Sequence, residues 1–245
     1  MALSILAATT LTFVLAGFVK GVIGLGLPTV AMGLLAVMMT PAQAASLLVA
    51  PSVITNVWQA MGPELVPLVL RLWPMLIGIC AGTWAGAGLL TADGGTRASM
   101  GLGVVLALYG ILGLASVEFF VPARLEPWLS PLIGAATGIV TAATGVYMLP
   151  SAPYLQAIGL KKDSLVQALG LSFTVSTLAL AVVLVEDGAL QIAVAGASLL
   201  ALAPAVIGMQ LGQWVRARVR SETFRICFFA GSLLMGAHLA LRALI

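Results

Sequence analysis

Lys20 stands in a run of glycines near the end of an apolar stretch, Ala16-Gly-Phe-Val-Lys-Gly-Val-Ile-Gly-Leu-Gly-Leu-Pro28. Each of Gly17, Gly21, Gly24 and Gly26 weakens a helix by up to about 1 kcal/mol, and Pro28 closes the segment, so the residues predict a broken helix. Broken backbone at membrane depth is tolerated only where it is buried in protein or lines a water-filled cavity, and the half-helix N-termini it exposes favour anions. An ammonium at such a break, with no carboxylate near it in sequence, is chemically a counter-charge for an anionic substrate. The alternative is a lysine that snorkels to the headgroups and anchors its helix.

Three further groups of residues could share that chemistry. The stretch from Gly134 to Gly145 interleaves Thr137, Thr141 and Thr144 with small residues. Its hydroxyls and exposed amides could replace the hydration shell of an oxyanion, or its small residues could serve close helix packing alone. Ser52, Thr55, Asn56 and Gln59 fall on one helical face, and Ser172 and Ser176, joined by Thr174 and Thr177, repeat the theme later in the chain. Such polar stripes on apolar spans face protein or water, and either interhelical hydrogen bonding or pore lining explains them. The candidate substrate-binding set is therefore Lys20, Gly21, Gly24, Gly26, Ser52, Asn56, Thr137, Thr141, Thr144, Gly145, Ser172 and Ser176. No nucleophile-and-base pair, metal-ligand cluster or nucleotide loop accompanies them, so neither an enzyme nor a cofactor is expected. Cys80 and Cys227 lie in separate apolar runs and are expected to be small buried residues.

The elements that hold these residues are dictated by composition. Hydrophobic residues make up 61% of the 245 positions and charged residues 8%, against roughly 25% charged in a soluble domain. A span needs about 20 mostly apolar residues, and apolar runs between charges, Pro and Gly clusters predict spans near 3–27, 42–60, 72–91, 97–116, 129–150, 164–185, 189–212 and 223–244. The fold class is thus all-α and polytopic. About eight transmembrane helices leave only short loops and no soluble catalytic domain. The first span lacks a basic leader and a cleavage site and is expected to be retained. Basic residues sit between spans, where they set orientation in the lipid bilayer; no nucleic acid partner is implied.

The chain also repeats itself. Pro74, Ile77, Gly78, Gly82 and Trp84 recur as Pro204, Ile207, Gly208, Gly212 and Trp214, each pair 130 positions apart. Gly17 and Gly21 match Gly134 and Gly138, Ser52 matches Ser172, and Arg97 and Gly103 match Arg225 and Gly231. This predicts two four-helix repeats, 1–117 and 128–245, around a connecting loop at 118–127, each opening on a broken or re-entrant helix. Eight full crossings would make the repeats parallel; a re-entrant first element would make them inverted. Lys and Arg placement groups Arg97, Lys161, Lys162, Arg216, Arg218 and Arg220 on one side. Arg71, Arg124 and Arg242 fall on the other with Glu64, Glu118, Glu126, Glu186 and Asp187. The first set is expected in the cytoplasm, with both termini outside.

These motifs resemble the TauE/SafE sulfite exporter family, also called the toluene sulfonate uptake permease family. The resemblance rests on Gly17 to Pro28, on Gly134 to Pro150, and on the following Pro153-Tyr-Leu and Gly159-Leu-Lys-Lys. Members commonly carry consecutive glycines after the first break, where this chain reads Gly24-Leu-Gly26-Leu-Pro28. The resemblance implies a permease of the bacterial inner membrane for organosulfur or related small anions, working without a cofactor. It leaves assembly as a homo-oligomer open. A non-transport membrane scaffold and a passive anion channel are the competing readings.

Overall fold

The computed structural model of the protein describes residues 2–115, 120–216, 218 and 221–242. Glu118 and Arg220 lie outside these residues. Among the described residues all regular structure is helical. The elements are α1 (Ala2–Ile23), α2 (Leu27–Leu35), α3 (Pro41–Ala60), α4 (Leu65–Ala85), α5 (Thr96–Ala115), α6 (Glu126–Thr144), α7 (Ser151–Ala157), α8 (Lys162–Glu186), α9 (Ile192–Arg216) and α10 (Ser221–Arg242). Six of them, α1, α4, α5, α8, α9 and α10, are long and apolar enough to cross a membrane. Helices α3 and α6 have 20 and 19 residues but are less apolar, because they carry the polar stripe and the threonine run.

The apolar runs 3–27 and 129–150 are not single helices. The first breaks at Gly24 and Gly26, with φ +83° and +103°, and the second at Gly145, with φ +72°. These left-handed conformations favour glycine and end the preceding helix. Beyond each break a short helix, α2 or α7, turns back along its predecessor. Gly26 lies beside Val19, and Gly33 and Leu34 share a groove with Leu15. In the later hairpin the Tyr154 hydroxyl of α7 meets Ser130 of α6 at 2.6 Å.

Helix directions follow from the close approaches. Taking α1 as ascending, α9 ascends beside it, since Gly17 faces Ala205 and Gly21 faces Met209. Helix α3 also ascends, with Leu47 in the groove of Thr10 and Phe13 and Asn56 at Lys20. Helix α8 descends against α3, Gly170 meeting Ala60 and Ala189 O accepting from Ser46 Oγ at 3.3 Å. Helices α4 and α6 descend together, Gly134 facing Met75 and Gly138 facing Ile79. Helix α5 ascends while α10 descends, Gly103 meeting Ala240 and Gly110 meeting Leu233. Thus α1, α3, α4 and α5 each run opposite to α6, α8, α9 and α10 in turn.

The return legs α2 and α7 correct the expected grouping of charges. With 9 and 7 residues they are too short to read as spans, yet each reverses the chain. Arg97 therefore sits at the end of the bundle occupied by Arg242, whose crevice is lined by Thr96 and Ser99. Asp187 is there too, accepting from Thr91 Oγ1 at 3.0 Å. Lys161 and Lys162 lie at the opposite end, close to Glu64, whose amide donates to Gln167 Oε1 at 3.2 Å. That end also holds Arg71, which donates to both carboxylate oxygens of Glu126 at 2.7 and 2.8 Å and to Ile158 O at 3.1 Å. The duplicated glycines pack across the molecule, Gly17 and Gly21 of α1 with Gly208 and Gly212 of α9, and Gly78 and Gly82 of α4 with Gly134 and Gly138 of α6.

The outer surface is apolar, as a bilayer requires. Trp58, Trp73, Trp84, Trp128 and Trp214 are all exposed. Cys80 and Cys227 are exposed as well, not buried as expected. In a lipid-facing bundle the outside is as apolar as the inside, so a small apolar residue carries no preference for the core.

Candidate substrate site

Lys20 lies in the last turn of α1, just before the glycine break, and is only 5% exposed. The carbonyl ends of a helix terminus favour a cation there. Its ammonium does not reach toward lipid headgroups. Nζ donates to Thr55 Oγ1 at 3.0 Å and to Asn56 Oδ1, both on α3. The Thr55 hydroxyl spends its own proton on Pro51 O at 2.6 Å, so it offers Lys20 a lone pair. Asn56 is held from its other end, its Nδ2 donating to the Tyr147 hydroxyl at 3.3 Å. Among the described residues no carboxylate pairs with Lys20; the Glu126 carboxylate pairs with Arg71 instead.

Helix α3 is adapted to carry these groups. Pro51 inside it cannot bond to Leu47 O, and Ser198 of α9 supplies the missing donor at 2.8 Å while accepting from Ala50 N at 3.0 Å. A proline-relaxed span is stable in a membrane only when a neighbour satisfies the freed group in this way.

Tyr147 comes from the second break, in Gly145-Val-Tyr-Met-Leu. Its phenol sits beside Ser52 and Thr177 as well as Asn56, and its ring lies 5.1 Å from that of Phe173 on α8. The two broken segments touch in the core. Thr29 Oγ1 donates to Met148 Sδ at 2.8 Å, and Gly145 packs on Met32.

The other candidates divide into separate places. Ser172, Ser176 and, on α4, Thr83 are buried with hydroxyls lacking a hydrogen-bond partner, while the Ser52 hydroxyl, also outside hydrogen-bond geometry, has the Tyr147 phenol beside it. Buried hydroxyls are nearly always satisfied, so these four keep unspent hydrogen-bonding capacity. Thr137, Thr141 and Thr144 are buried but donate to the carbonyls of Ile133, Thr137 and Val140, leaving only lone pairs to offer. Thr144 also packs toward Gly101 of α5. Gly21 faces the α9 backbone at Met209 and Gly212, Gly26 faces Phe228, and the side of Gly24 where a Cβ would stand is open.

The chain matches the Sulfite exporter TauE/SafE family over residues 9–239. It belongs to that family. No curated protein and no solved structure matches it. As a TauE/SafE member with six helices among the described residues fit to cross a bilayer, it is a multi-pass membrane protein of a transporter family for sulfur anions.

Within this TauE/SafE protein, reading of the sequence missed Thr55 as a partner of Lys20, and Tyr147 and Thr83 altogether. Thr55 had a signal, its place on the stripe one residue before Asn56. Tyr147 had a weaker one, a lone polar aromatic directly after the Gly145 break. Thr83 stands beside Gly82 in the duplicated motif, but its helix gives no other polar neighbour to mark it.

Proposed function

We propose that this protein moves a small oxyanion, sulfite or a sulfonate, across the bacterial inner membrane by alternating access, with Lys20 as the counter-charge. The observation that supports it most is the burial of Lys20 Nζ against two neutral acceptors, with no carboxylate pairing among the described residues. An ammonium near the membrane interior costs about 2.5–3.5 kcal/mol on insertion scales, a cost relieved when an anion occupies the site. Ser52, Asn56 and Tyr147 supply hydrogen-bonding groups at the same place, and the breaks at Gly24–Gly26 and Gly145 supply adaptable backbone.

The two halves, 1–117 and 128–245, act in this reading as inverted repeats, each built on a re-entrant hairpin. Reversal of each long helix relative to its counterpart supports that arrangement. Inverted repeats with a site near the midplane allow one half to rock against the other, opening the site to either face. A crevice of about 500 Å³ lies beside Arg242, at the end where α1 begins.

Orientation follows from the regrouped charges. Arg71, Arg124, Lys161, Lys162, Arg216, Arg218 and Arg225 belong to one end by chain connectivity, against Arg97 and Arg242 at the other. The richer end is cytoplasmic by the positive-inside rule, and both chain termini face outward. Single cysteines at position 161 and at position 37, in a background with Cys80 and Cys227 replaced by serine, should label from opposite faces of intact cells with an impermeant maleimide. Labelling from the same face would refute inversion.

The direct test is a binding screen on detergent-solubilised protein with sulfite, thiosulfate, methanesulfonate and acetate. Saturable binding of the sulfur oxyanions, competed weakly by acetate, is expected, together with counterflow in reconstituted vesicles. A passive channel would give flux without counterflow. Protein that binds none of these anions but copurifies with a fixed partner would be a scaffold.

A further inference from the structure

The hydrogen bonding of Lys20 bears on how transport is driven. A neutral amine has two N–H groups and one lone pair, and the two acceptors Thr55 Oγ1 and Asn56 Oδ1 use both N–H groups. Neither acceptor requires the third proton. An oxyanion that contacts Nζ at its remaining position meets a lone pair when the lysine is neutral and an N–H when it is charged. Only the charged form binds.

Among the described residues no carboxylate pairs with Lys20 to hold it protonated in the empty state; only the partial charge of the α1 carbonyl end favours the cation. On α3 its partners are neutral, and the 145–150 segment contributes the Tyr147 phenol, reached through Asn56. Helix α2 brings Thr29, which is bonded to Met148. Helix α9 approaches with Met209 and Gly212, and its Arg216 is exposed at the bundle end. Helix α10 brings Phe224 to Phe18 at 5.9 Å, with Arg225 exposed beside it. Among the described residues, none of the groups in this set is a carboxylate.

We propose that Lys20 takes up a proton together with the anion and gives it up on release, so that each cycle carries one proton with each substrate. The proton passes from water on the side from which the anion arrives to the Nζ lone pair. It leaves to water on the far side when the anion departs, and the lysine returns neutral. No bond other than N–H forms or breaks. A monoanion then crosses as part of a neutral pair, and lysine serves where other proton-coupled carriers would need a buried carboxylate. This rests on the oxyanion reading of the same site.

The test uses vesicles reconstituted with the full chain, loaded with radiolabelled methanesulfonate or thiosulfate and an internal pH dye. Neither probe carries a titratable proton near neutral pH, so proton movement reports the protein. Net efflux from wild-type vesicles into anion-free buffer should raise the internal pH in proportion to anion lost. Exchange of labelled for unlabelled anion should leave it unchanged. Lys20→Arg, whose guanidinium stays charged, should retain exchange but lose proton-linked net efflux at least about tenfold. Net anion efflux by wild type without any pH change would overturn the coupling while leaving the oxyanion site intact. Failure of wild type to move or exchange either probe, or sulfite, would overturn both. The wild-type measurement decides the question even if the arginine variant fails to insert.

Discussion

Lys20→Met abolishes anion transport while leaving the protein folded: that is the expected result with the largest functional effect. Removing one partner of a buried charge pair costs about 3–5 kcal/mol, and each 1.4 kcal/mol is tenfold in affinity, so binding should weaken by two to three and a half orders of magnitude. The fold should not suffer in step. Methionine is close to lysine in length and needs no hydrogen bond, and the variant removes a polar amine that is only 5% exposed. Thr55 remains bonded to Pro51 O and Asn56 to the Tyr147 hydroxyl, so the site keeps its shape. Thermal unfolding in detergent should be unchanged or shifted upward, while labelled sulfite uptake in vesicles falls to background. Asn56→Leu should fall less, because it removes a neutral contact and leaves the cation in place. If Lys20→Met transported as fast as wild type, the cation would be a structural residue and the anion would have to bind elsewhere, with the orphaned Ser172 and Ser176 hydroxyls the next place to search.

The parts of this arrangement that were legible in the sequence are those governed by local chemistry. Apolar runs had to become helices because lipid leaves no other partner for backbone groups, and glycine density at Gly24–Gly26 and Gly145 marked the breaks. Helices α2 and α7 were legible only as the alternative of a re-entrant first element in each half. Each is shorter than half a span, so composition merges it with its predecessor; the grouping of charges by eight full crossings then placed Arg97 on the same side as Lys161. Cys80 was misjudged for a different reason, since the rule that small apolar residues are buried derives from a contrast with water that a membrane removes. The site itself depended on distance along the chain. Lys20 meets Asn56 across 36 residues and Asn56 meets Tyr147 across 91, and nothing in the spacing of these residues announces the meeting. What the residue types did announce was the need: a lysine in a broken span must find water, a counter-ion or neutral acceptors, and here it has two neutral acceptors.

The largest effect on stability is expected from the duplicated glycines, where alanine itself is too large. A Cβ at Gly17 would stand 2.0 Å from Ala205 O, at Gly208 2.0 Å from Val14 O, at Gly82 2.1 Å from Ala135 O, and at Gly138 2.3 Å from Ile79 O. The obstructing atom is backbone in every case, so no rotamer change relieves it; the helices must separate. Overpacking a core costs typically 1–3 kcal/mol when side chains can adjust, and these rigid contacts should exceed that. Gly17→Val or Gly138→Val is therefore expected to yield little folded protein by gel filtration in detergent. Gly231→Ala on α10 and Gly196→Ala on α9 provide the contrast. Both glycines are helical with nothing within 4 Å of the built Cβ, so alanine there should stabilise by up to about 1 kcal/mol through helix propensity. The comparison also bears on motion. If α1 and α9 stay clamped through the cycle, Gly208→Ala lowers thermal stability and leaves the transport rate per folded molecule unchanged. A variant with normal stability and a hundredfold slower rate would instead place the sliding surface of the carrier at this seam, and the rigid unit would have to be sought in the α5 and α10 pair, where Gly103 and Gly236 make the same kind of contact.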